Sequence, residues 1–332
     1  RTALRILKPV KSFPARSEDD IYRGVRDIEW EQHMSPRNLL AVETVLVSDR
    51  YKHSGFVSQR VKDGIVDRFR DRFGKRPSVD LKNPDIRINI HLNDTHCSVS
   101  LDSSGESLHK RGYRTQPHQA PLNEVLAAGM IFLSGWNPTQ PFLNPMCGSG
   151  TLCIEAGMIA RGLPGGYFRD GFGFQKWKDY DPDLFESIRR ERHLKAQDDF
   201  RIMACDIAFP AIRASQQNLA SAGLLGKVDL LKKAFDSWDT GLQEGILILN
   251  PPYGERMEEN NLQELYKQIG DTLKQKYKGF GAWVLSGNPD ALKHLGLRPG
   301  KKLTLYNGPI QCKYQYYDLY EGSRKNVDKR KG

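Results

Sequence analysis

Hydrophobic and polar positions alternate in two different ways along the first 115 residues. Residues 38–49 and the two segments on either side of Asn93 and Asp94 alternate with a period of two, which predicts half-buried strands, the last two joined by a turn. Between them, a period near four predicts an amphipathic helix that ends at Gly74, with apolar positions at Val61, Ile65, Phe69 and Phe73. This part of the chain is therefore predicted to be an α+β domain.

A second pattern begins near residue 116. A helix is predicted from Asn123, and short apolar runs separated by helical segments predict buried parallel strands at residues 141–143, 201–205, 228–231, 246–249 and 281–285. Residues 164–198, rich in glycine and aromatic residues and then charged, are interpreted as an insertion between the first two strands. Two alternating runs that meet at Asn307 and Gly308 predict a terminal antiparallel hairpin. The pattern indicates an α/β domain.

The composition is that of a globular protein, with 39% hydrophobic and 27% charged residues among 332. No apolar stretch is long enough to span a bilayer and no signal peptide is visible, so a cytoplasmic protein without a membrane partner is expected. Five scattered cysteines and the irregular histidine spacing favour neither a disulfide framework nor a metal site. A monomer is expected, and the start at Arg1 within an amphipathic segment suggests a missing amino-terminal piece.

The charge of the chain favours a polyanionic partner. The formal net charge is +10, and the excess of Lys and Arg is denser in the first third. The predicted helix at residues 58–74 carries many of these residues on its polar face, which is either a solvated surface or a contact for RNA. Residues 324–332 form a basic tail.

The stretch FLNPMCGSGTLCIEAGMIA predicts a ligand-binding loop between a strand and a helix. Gly148 and Gly150 allow a tight turn and close approach of the backbone to a ligand. Asp206 ends the next strand, where its carboxylate could accept both ribose hydroxyls of an adenosine. Asp236 follows the third strand and is either an acceptor for the adenine amine or a helix N-cap. Cys153 stands where a dinucleotide-binding loop has its third glycine, which disfavours an NAD-dependent oxidoreductase.

The stretch ILILNPPYGER ends a buried strand with an unusual set of groups. Proline cannot donate to a sheet ladder, so the strand must stop at Asn250, before Pro251 and Pro252. The Asn250 side chain and the Pro251 carbonyl are two acceptors that could hold both hydrogens of a base amine, and Tyr253 could stack on a flipped base. The simpler alternative is a strand terminator with a core tyrosine.

The motifs NPMCGSGT and NPPYGER, together with GYR before them, resemble those of THUMP-domain class I S-adenosylmethionine-dependent methyltransferases. The likeness extends over nearly the whole chain and is greatest to the bacterial 23S rRNA guanine-N2 methyltransferases. It implies an α/β fold with a Rossmann-like sheet and a terminal antiparallel hairpin, preceded by an α+β THUMP-type RNA-binding domain. The expected boundaries are residues 1–115, with the remnant of a ferredoxin-like segment, residues 116–323 and the tail 324–332.

The resemblance also implies site residues. Contacts with S-adenosylmethionine are expected at Asn144, Met146, Gly148, Gly150, Asp206 and Asp236, and the methionine end should be closed over by Gln119, Ala120 and Pro121. The catalytic group should be Asn250, Pro251, Pro252 and Tyr253. The family commonly has Asp where this chain has Asn144, so a charge that could hold the cofactor's ammonium group is absent.

The expected reaction is methyl transfer to the N2 amine of a guanine in 23S rRNA. A tRNA guanine-N2 methyltransferase and a DNA adenine-N6 methyltransferase are alternatives built from the same parts. A non-enzymatic alternative is an RNA-binding assembly factor with a vestigial cofactor fold. Cys147 could be a nucleophile, but its place in the cofactor loop favours a packing role.

Overall fold

The computed structural model describes residues 1–114, 122–194, 199–253 and 258–320, without the side chains of residues 192–194. Its chain divides into two compact units. The N-terminal unit comprises Ala3–Leu108 and Arg169–Ile188, and the C-terminal unit comprises Arg1–Thr2, His109–Phe168 and the residues from Arg189 onward. None of the helices in these described ranges is both long and apolar enough to cross a membrane.

The N-terminal unit is a five-stranded sheet with two helices against one face. Its elements are β1 (Leu7–Pro14), α1 (Glu18–Arg26), β2 (Leu39–Val47), α2 (Ser54–Phe73), β3 (Ser78–Val79), β4 (Ile86–Asn93) and β5 (His96–Asp102). The strand order is β1-β5-β4-β2-β3, in which β2 is parallel to β3 and β4 and the other pairs are antiparallel. The predicted strands and helix are confirmed, and Gly74 caps α2 with φ +63°.

Acidic residues of the same unit balance the basic face of α2. Arg60 pairs with Asp19, at 3.0 Å, and Arg68 pairs with Glu31, at 2.8 Å. Arg70 pairs with Asp67 of the same helix, at 2.8 Å. Segments 18–32 and 54–73 together contain nine acidic and seven basic residues. The helical side of the unit is therefore not a basic surface.

The residues expected to form an insertion in the α/β domain belong instead to the N-terminal unit from Arg169 to Ile188. Their aromatic rings pack against one another, with Phe174 and Phe185 at 5.5 Å between centroids. Trp177 packs on the core of the unit, and Lys176 pairs with Asp85 at 3.2 Å. This apolar burial explains the assignment, which chain order alone did not indicate.

The C-terminal unit is an α/β sheet of seven strands. Its elements are α3 (Glu124–Ser134), β6 (Phe142–Pro145), α4 (Thr151–Ala160), β7 (Ile202–Asp206), α6 (Phe209–Ser221), β8 (Val228–Lys232), β9 (Gly245–Leu249), α7 (Glu259–Lys276), β10 (Phe280–Ser286), β11 (Lys301–Asn307) and β12 (Ile310–Asp318). Helix α5 (Pro182–Leu194) precedes β7 and belongs to the N-terminal unit as far as Ile188. Helices α3, α4 and α6 pack on one face and α7 on the other.

The strand order β11-β12-β10-β9-β6-β7-β8 locates the ligand crevice. Only β12 is antiparallel to its neighbours, because the predicted hairpin folds back so that its last strand lies between β10 and β11. Strand β6 has β7 on one side and β9 on the other, so the chain reverses its direction of winding there. Open α/β sheets bind ligands at such a switch point, outside the carboxyl ends of the strands.

Candidate active site

The loop between β6 and α4 lies at the switch point and has a backbone that favours glycine. Met146, Gly148 and Gly150 all have positive φ, of +55°, +56° and +79°. A Cβ on Gly150 would lie 3.1 Å from Ser215 Oγ, so this position is also crowded. A Cβ on Gly148 would meet nothing within 4 Å, which leaves open space beside the backbone there. The loop can therefore approach a ligand closely.

Side chains of α6 hold this loop from behind. The Ser215 hydroxyl donates to the Gly148 carbonyl at 2.7 Å, and the Asn218 amide donates to the Ser149 carbonyl at 3.1 Å. Both side chains are buried. The loop conformation is thus fixed by the fold before any ligand binds, which lowers the cost of binding.

Asp206 ends β7 with a firmly placed carboxylate. One oxygen accepts from the Gly148 N–H at 3.0 Å and the other accepts from the Ala208 N–H at 2.9 Å. Each oxygen keeps a lone pair for a further donor such as a ribose hydroxyl. Two apolar side chains beside it are strongly exposed, Ile207 at 71% and Phe209 at 60%. A carboxylate next to exposed apolar groups suits an adenosine, and sequence reasoning missed these two neighbours.

Asp236 lies in a short 3-10 turn (Phe235–Ser237) just beyond β8. The residue is exposed, and the N-cap of the turn is Ala234. Asp236 is therefore not the N-cap of this turn, and its carboxylate lies on the same carboxyl edge of the sheet as Asp206.

Asn144 is buried behind the loop, with 1% of its surface exposed. Its amide donates to the Ile248 carbonyl of β9 at 2.8 Å, and its oxygen accepts from the Cys153 thiol at 3.4 Å. The β6–β9 ladder ends one residue earlier, at Leu143 and Leu247. The side chain thus joins the two strands where they begin to separate, which favours a positioning role over direct contact with a cofactor.

Arg114, in the GYR motif, connects three parts of the site. Its guanidinium donates to Glu124 at 2.9 Å, to the Ser149 hydroxyl at 3.1 Å and to the Thr151 hydroxyl at 3.0 Å. These residues belong to α3, to the glycine loop and to the first turn of α4. In the sequence, GYR is conspicuous only through its family likeness, because Arg114 lies 35 positions from Ser149 and 37 from Thr151.

The same motif is anchored at a buried carboxylate of α4. Glu155 is fully buried, and its oxygens accept from Arg111 at 3.1 Å, from Arg1 at 2.9 Å and from the Tyr113 hydroxyl at 3.4 Å. Burial, and then the charge of Glu155, raises the pKa of Tyr113 well above its usual value. Gln119, Ala120 and Pro121, expected over the methionine end, lie outside the described residues.

Asn250 and Tyr253 are joined at the carboxyl end of β9. Strand β9 ends at Leu249, and the Tyr253 hydroxyl donates to the Asn250 side-chain oxygen. Burial raises the pKa of Tyr253 well above its usual value, so the phenol stays protonated and remains a donor. An amide oxygen has two lone pairs, which leaves Asn250 one acceptor position for a substrate amine.

The Tyr253 ring rests against the segment after β10 and the tip of the hairpin. A Cβ on Gly287 would lie 3.1 Å from the ring and 2.9 Å from Ile310, so glycine leaves room for both side chains. The Tyr266 hydroxyl donates to the Pro252 carbonyl at 3.2 Å and contacts the Ser286 hydroxyl at 2.7 Å. Pro251 is buried and Pro252 is exposed. The NPPY motif is therefore held by contacts with α7, through Tyr266, and with the hairpin tip, through Ile310.

The thiols near the site are packing groups. Cys147 is 8% exposed, and burial raises its pKa to about 12, so it holds almost no thiolate near neutral pH. All five cysteines are free and buried. Within the described ranges, no cluster of His, Cys, Asp and Glu could hold a metal ion.

Comparison with known proteins identifies the family of the chain. The model of the family "RMKL-like, methyltransferase domain" matches residues 111–316, and the THUMP domain model matches residues 15–102. A Synechocystis sp. protein named "putative RNA methyltransferase" is 39% identical, over 96% of this chain and 84% of that protein. A "Ribosomal RNA large subunit methyltransferase K/L" of Syntrophotalea carbinolica is 38% identical, over 97% of this chain and 47% of that protein.

A solved structure supports the cofactor class as well as the fold. It is described as "a putative methyltransferase complexed with SAH", and it matches with a TM-score of 0.83 and 29% identity, over 96% of this chain and 85% of the other. The methyl donor of this family is S-adenosylmethionine, and the open glycine loop, the pinned Asp206 and the apolar residues beside it fit that group. The chain spans about half the length of the K/L relatives. By sequence and by fold, the chain belongs to the THUMP-containing family of RMKL-like, S-adenosylmethionine-dependent methyltransferases.

Proposed function

We propose that this chain transfers a methyl group to the exocyclic N2 amine of a guanine in large-subunit ribosomal RNA. The observation that carries the proposal is the place of Asn250, at the end of β9 and next to the glycine loop that follows β6. An acceptor for the substrate amine and a loop for the cofactor would then face one crevice. The Tyr253 ring packs against the core, as in the alternative of a strand terminator with a core tyrosine, and the bond from its hydroxyl to Asn250 is what supports the catalytic role instead.

The cofactor would be held by backbone and carboxylate groups. The glycine loop, with Met146, would lie along the methionine part, and Asp206 would accept the ribose hydroxyls. Asp236 would accept from the adenine amine. Bound S-adenosylmethionine supplies an electrophilic methyl group on a sulfonium centre. Asn144 supports this arrangement from behind, through its bond to Ile248.

The substrate amine would be oriented by two oxygens. The free lone pair of Asn250 Oδ1 and the Pro251 carbonyl each accept one amine hydrogen, which turns the nitrogen lone pair toward the crevice. Such orientation removes much of the entropic barrier to a two-reactant step. The Tyr253 ring would stack on the flipped base, and its hydroxyl keeps the Asn250 amide from rotating.

Ribosomal RNA is favoured as substrate by the K/L relatives, which are named for the large-subunit RNA. An exocyclic amino group is favoured by the NPPY motif, and guanine N2 by the resemblance of nearly the whole chain to the 23S rRNA guanine-N2 methyltransferases. Because the chain spans only about half the length of the K/L relatives, the activity of those whole proteins is not assigned to this chain. The described site supports methyl transfer to an amino group.

The test is methyl transfer from labelled S-adenosylmethionine to separate samples of deproteinised 23S rRNA, tRNA and DNA, followed by nucleoside digestion and mass analysis. N2-methylguanosine from 23S rRNA alone is the expected result. Label in tRNA guanine or in DNA adenine would show that the substrate is tRNA or DNA instead of 23S rRNA. Cofactor binding without label in any sample would favour an RNA-binding assembly factor.

A further inference from the structure

One face of the terminal hairpin carries basic, polar and aromatic side chains in register. Lys302, Thr304 and Tyr306 alternate along β11 and so point to the same side. Their partners on β12 are Gln315, Lys313 and Gln311, in that order. These six residues are called the hairpin face. The opposite side of the hairpin packs on the core through Cys312 and Tyr314, which are both fully buried.

The charge of the hairpin face is not balanced. Neither Lys302 nor Lys313 forms an ion pair with any residue that the structure describes, and the Lys313 ammonium donates to the Thr304 hydroxyl at 2.9 Å. Residues 291–320 contain five basic residues and one acidic residue. This contrasts with α2, whose basic residues are paired with acids.

The face borders a groove large enough for part of a nucleotide chain. The groove has a volume of about 430 Å³, and its lining includes the apolar residues Leu292 and Leu297 and the lysines Lys293, Lys302 and Lys313. Volumes of this size are typical of ligand sites. Lys293 is partly compensated, because it pairs with Asp290 at 2.6 Å.

An exposed aromatic ring lies at the end of the hairpin face that is nearest the hairpin tip. Tyr306 is 61% exposed, and the Gln311 amide donates to its hydroxyl at 3.2 Å. The hairpin tip follows directly, and its Ile310 lies beside the Tyr253 ring at Gly287. Lys302 lies four residues from Tyr306, or about 13 Å along the strand. Ile310 alternates with Cys312 and Tyr314, so Tyr253 contacts the side of the hairpin opposite the hairpin face, and the two sides meet at the tip.

We propose that the hairpin face binds the single-stranded RNA that flanks the target base. Tyr306 stacks on a neighbouring base, while Lys302 and Lys313 neutralise phosphates of the same strand. Stacking rings combined with a basic groove are the way proteins bind single-stranded nucleic acid. This inference rests on the proposed function for the class of substrate, and it adds the surface that grips the strand beside the flipped base.

Two kinds of substitution separate the two roles. The double variant Lys302→Gln with Lys313→Gln removes two phosphate contacts, so the salt slope of binding should become smaller by about 1.4. Tyr306→Ala removes a stacking platform, so the affinity should fall by at least about fivefold while the salt slope is unchanged. Tyr306→Phe keeps the ring and should retain the wild-type affinity. Lys267→Gln with Lys276→Gln, two exposed positions on α7, is the control with equal loss of charge.

Binding is measured by fluorescence anisotropy with a labelled single-stranded RNA of about 16 nucleotides at several salt concentrations. Cofactor affinity and melting temperature are measured on every variant, to show that the fold is intact. The proposal is overturned if the hairpin variants match the α7 control in affinity and slope. In that case the lysines serve only to protect the edge strand β11 from aggregation.

The two proposals fail in different ways. A wild-type chain that binds RNA through the hairpin face but methylates no RNA would refute the proposed function alone. A chain that methylates 23S rRNA equally well after the hairpin substitutions would refute the hairpin face alone.

Discussion

At the scale of single residues, Asn250 is the side chain on which the proposed chemistry depends. Asn250→Ala removes the acceptor for the substrate amine, and kcat should fall by roughly 10²–10³-fold, the usual effect of losing one oriented polar group at a reacting centre. Cofactor affinity should stay within about twofold, since Asn250 does not touch the glycine loop's anchors. Single-turnover kinetics and calorimetry measure the two quantities separately.

Asn250→Asp is the matched variant. It keeps an oxygen that can accept from both Tyr253 and the substrate amine, so it should retain much more activity than the alanine variant. Equal loss of cofactor binding and turnover in Asn250→Ala would instead indicate that the residue stabilises the end of β9.

The hydroxyl and the ring of Tyr253 can be tested apart. Tyr253→Phe keeps the ring but frees the Asn250 amide to rotate, so kcat should fall about fivefold to tenfold with little change in KM for RNA. Because burial raises the pKa of Tyr253, the phenol does not titrate near neutral pH. The ratio of wild-type to variant activity should therefore be constant between roughly pH 6 and pH 9. A ratio that changes over this range would mean that the hydroxyl loses its proton there.

Asn144 distinguishes a structural role from a cofactor contact. Asn144→Asp replaces the donor to the Ile248 carbonyl by an acceptor in a fully buried position, and the free energy of unfolding should fall by about 1–3 kcal/mol at neutral pH. Urea denaturation measures this change. A variant of unchanged stability with tighter cofactor binding would show that this position senses the ammonium group of the cofactor.

Backbone requirements were predictable from the sequence at this scale, whereas side-chain partners were not. Gly148, Gly150 and the prolines after Asn250 restrict the chain locally, so their meaning is visible in a short stretch. The bond from Asn144 to Ile248 spans 104 positions, and that from Arg114 to Thr151 spans 37. No local pattern encodes contacts at such separations.

At the scale of elements, Arg114 fastens α3, the glycine loop and α4 together. Arg114→Ala leaves the buried Glu124 without its cation, and breaking such a pair costs about 3–5 kcal/mol. The loss should be smaller when Glu124→Gln is added, with a coupling of about 0.5–3 kcal/mol in a double-mutant cycle of unfolding free energies. Additive effects would show that the guanidinium acts on the loop hydroxyls alone.

The order of elements was predictable, but their pairing was not. Hydrophobic runs predicted most strands of both units, because burial leaves a periodic trace in the sequence, but they did not predict β1 or β3. The position of β12 between β10 and β11 leaves no such trace, since either strand of the hairpin could pair with β10. The assignment of residues 169–188 to the N-terminal unit was not predictable for a similar reason. A run of aromatic residues indicates that the segment is buried but not which core buries it.

At the scale of the whole molecule, the net charge of +10 is unevenly distributed. The sequence pattern drew attention to α2, whose Arg and Lys residues are conspicuous along one helix. Ion pairs with Asp19, Glu31 and Asp67 offset that charge locally. The unbalanced charge on the hairpin is carried by fewer residues and was less conspicuous, because it depends on which acids lie near these lysines among the residues that the structure describes.

This distribution predicts a specific response of RNA binding to charge removal. Lys62→Gln with Arg70→Gln removes two positive charges from α2. In the wild-type chain these charges are already paired with the carboxylates of Asp63 and Asp67, so RNA affinity should change by less than about threefold. The salt slope should change by less than the value of about 0.7 expected for one phosphate contact. Anisotropy titrations over a range of salt concentrations measure both quantities. If these substitutions instead lowered the slope by about 1.4, α2 would be an RNA-binding surface despite its ion pairs, because only ammonium and guanidinium groups that displace counterions from phosphates contribute to that slope.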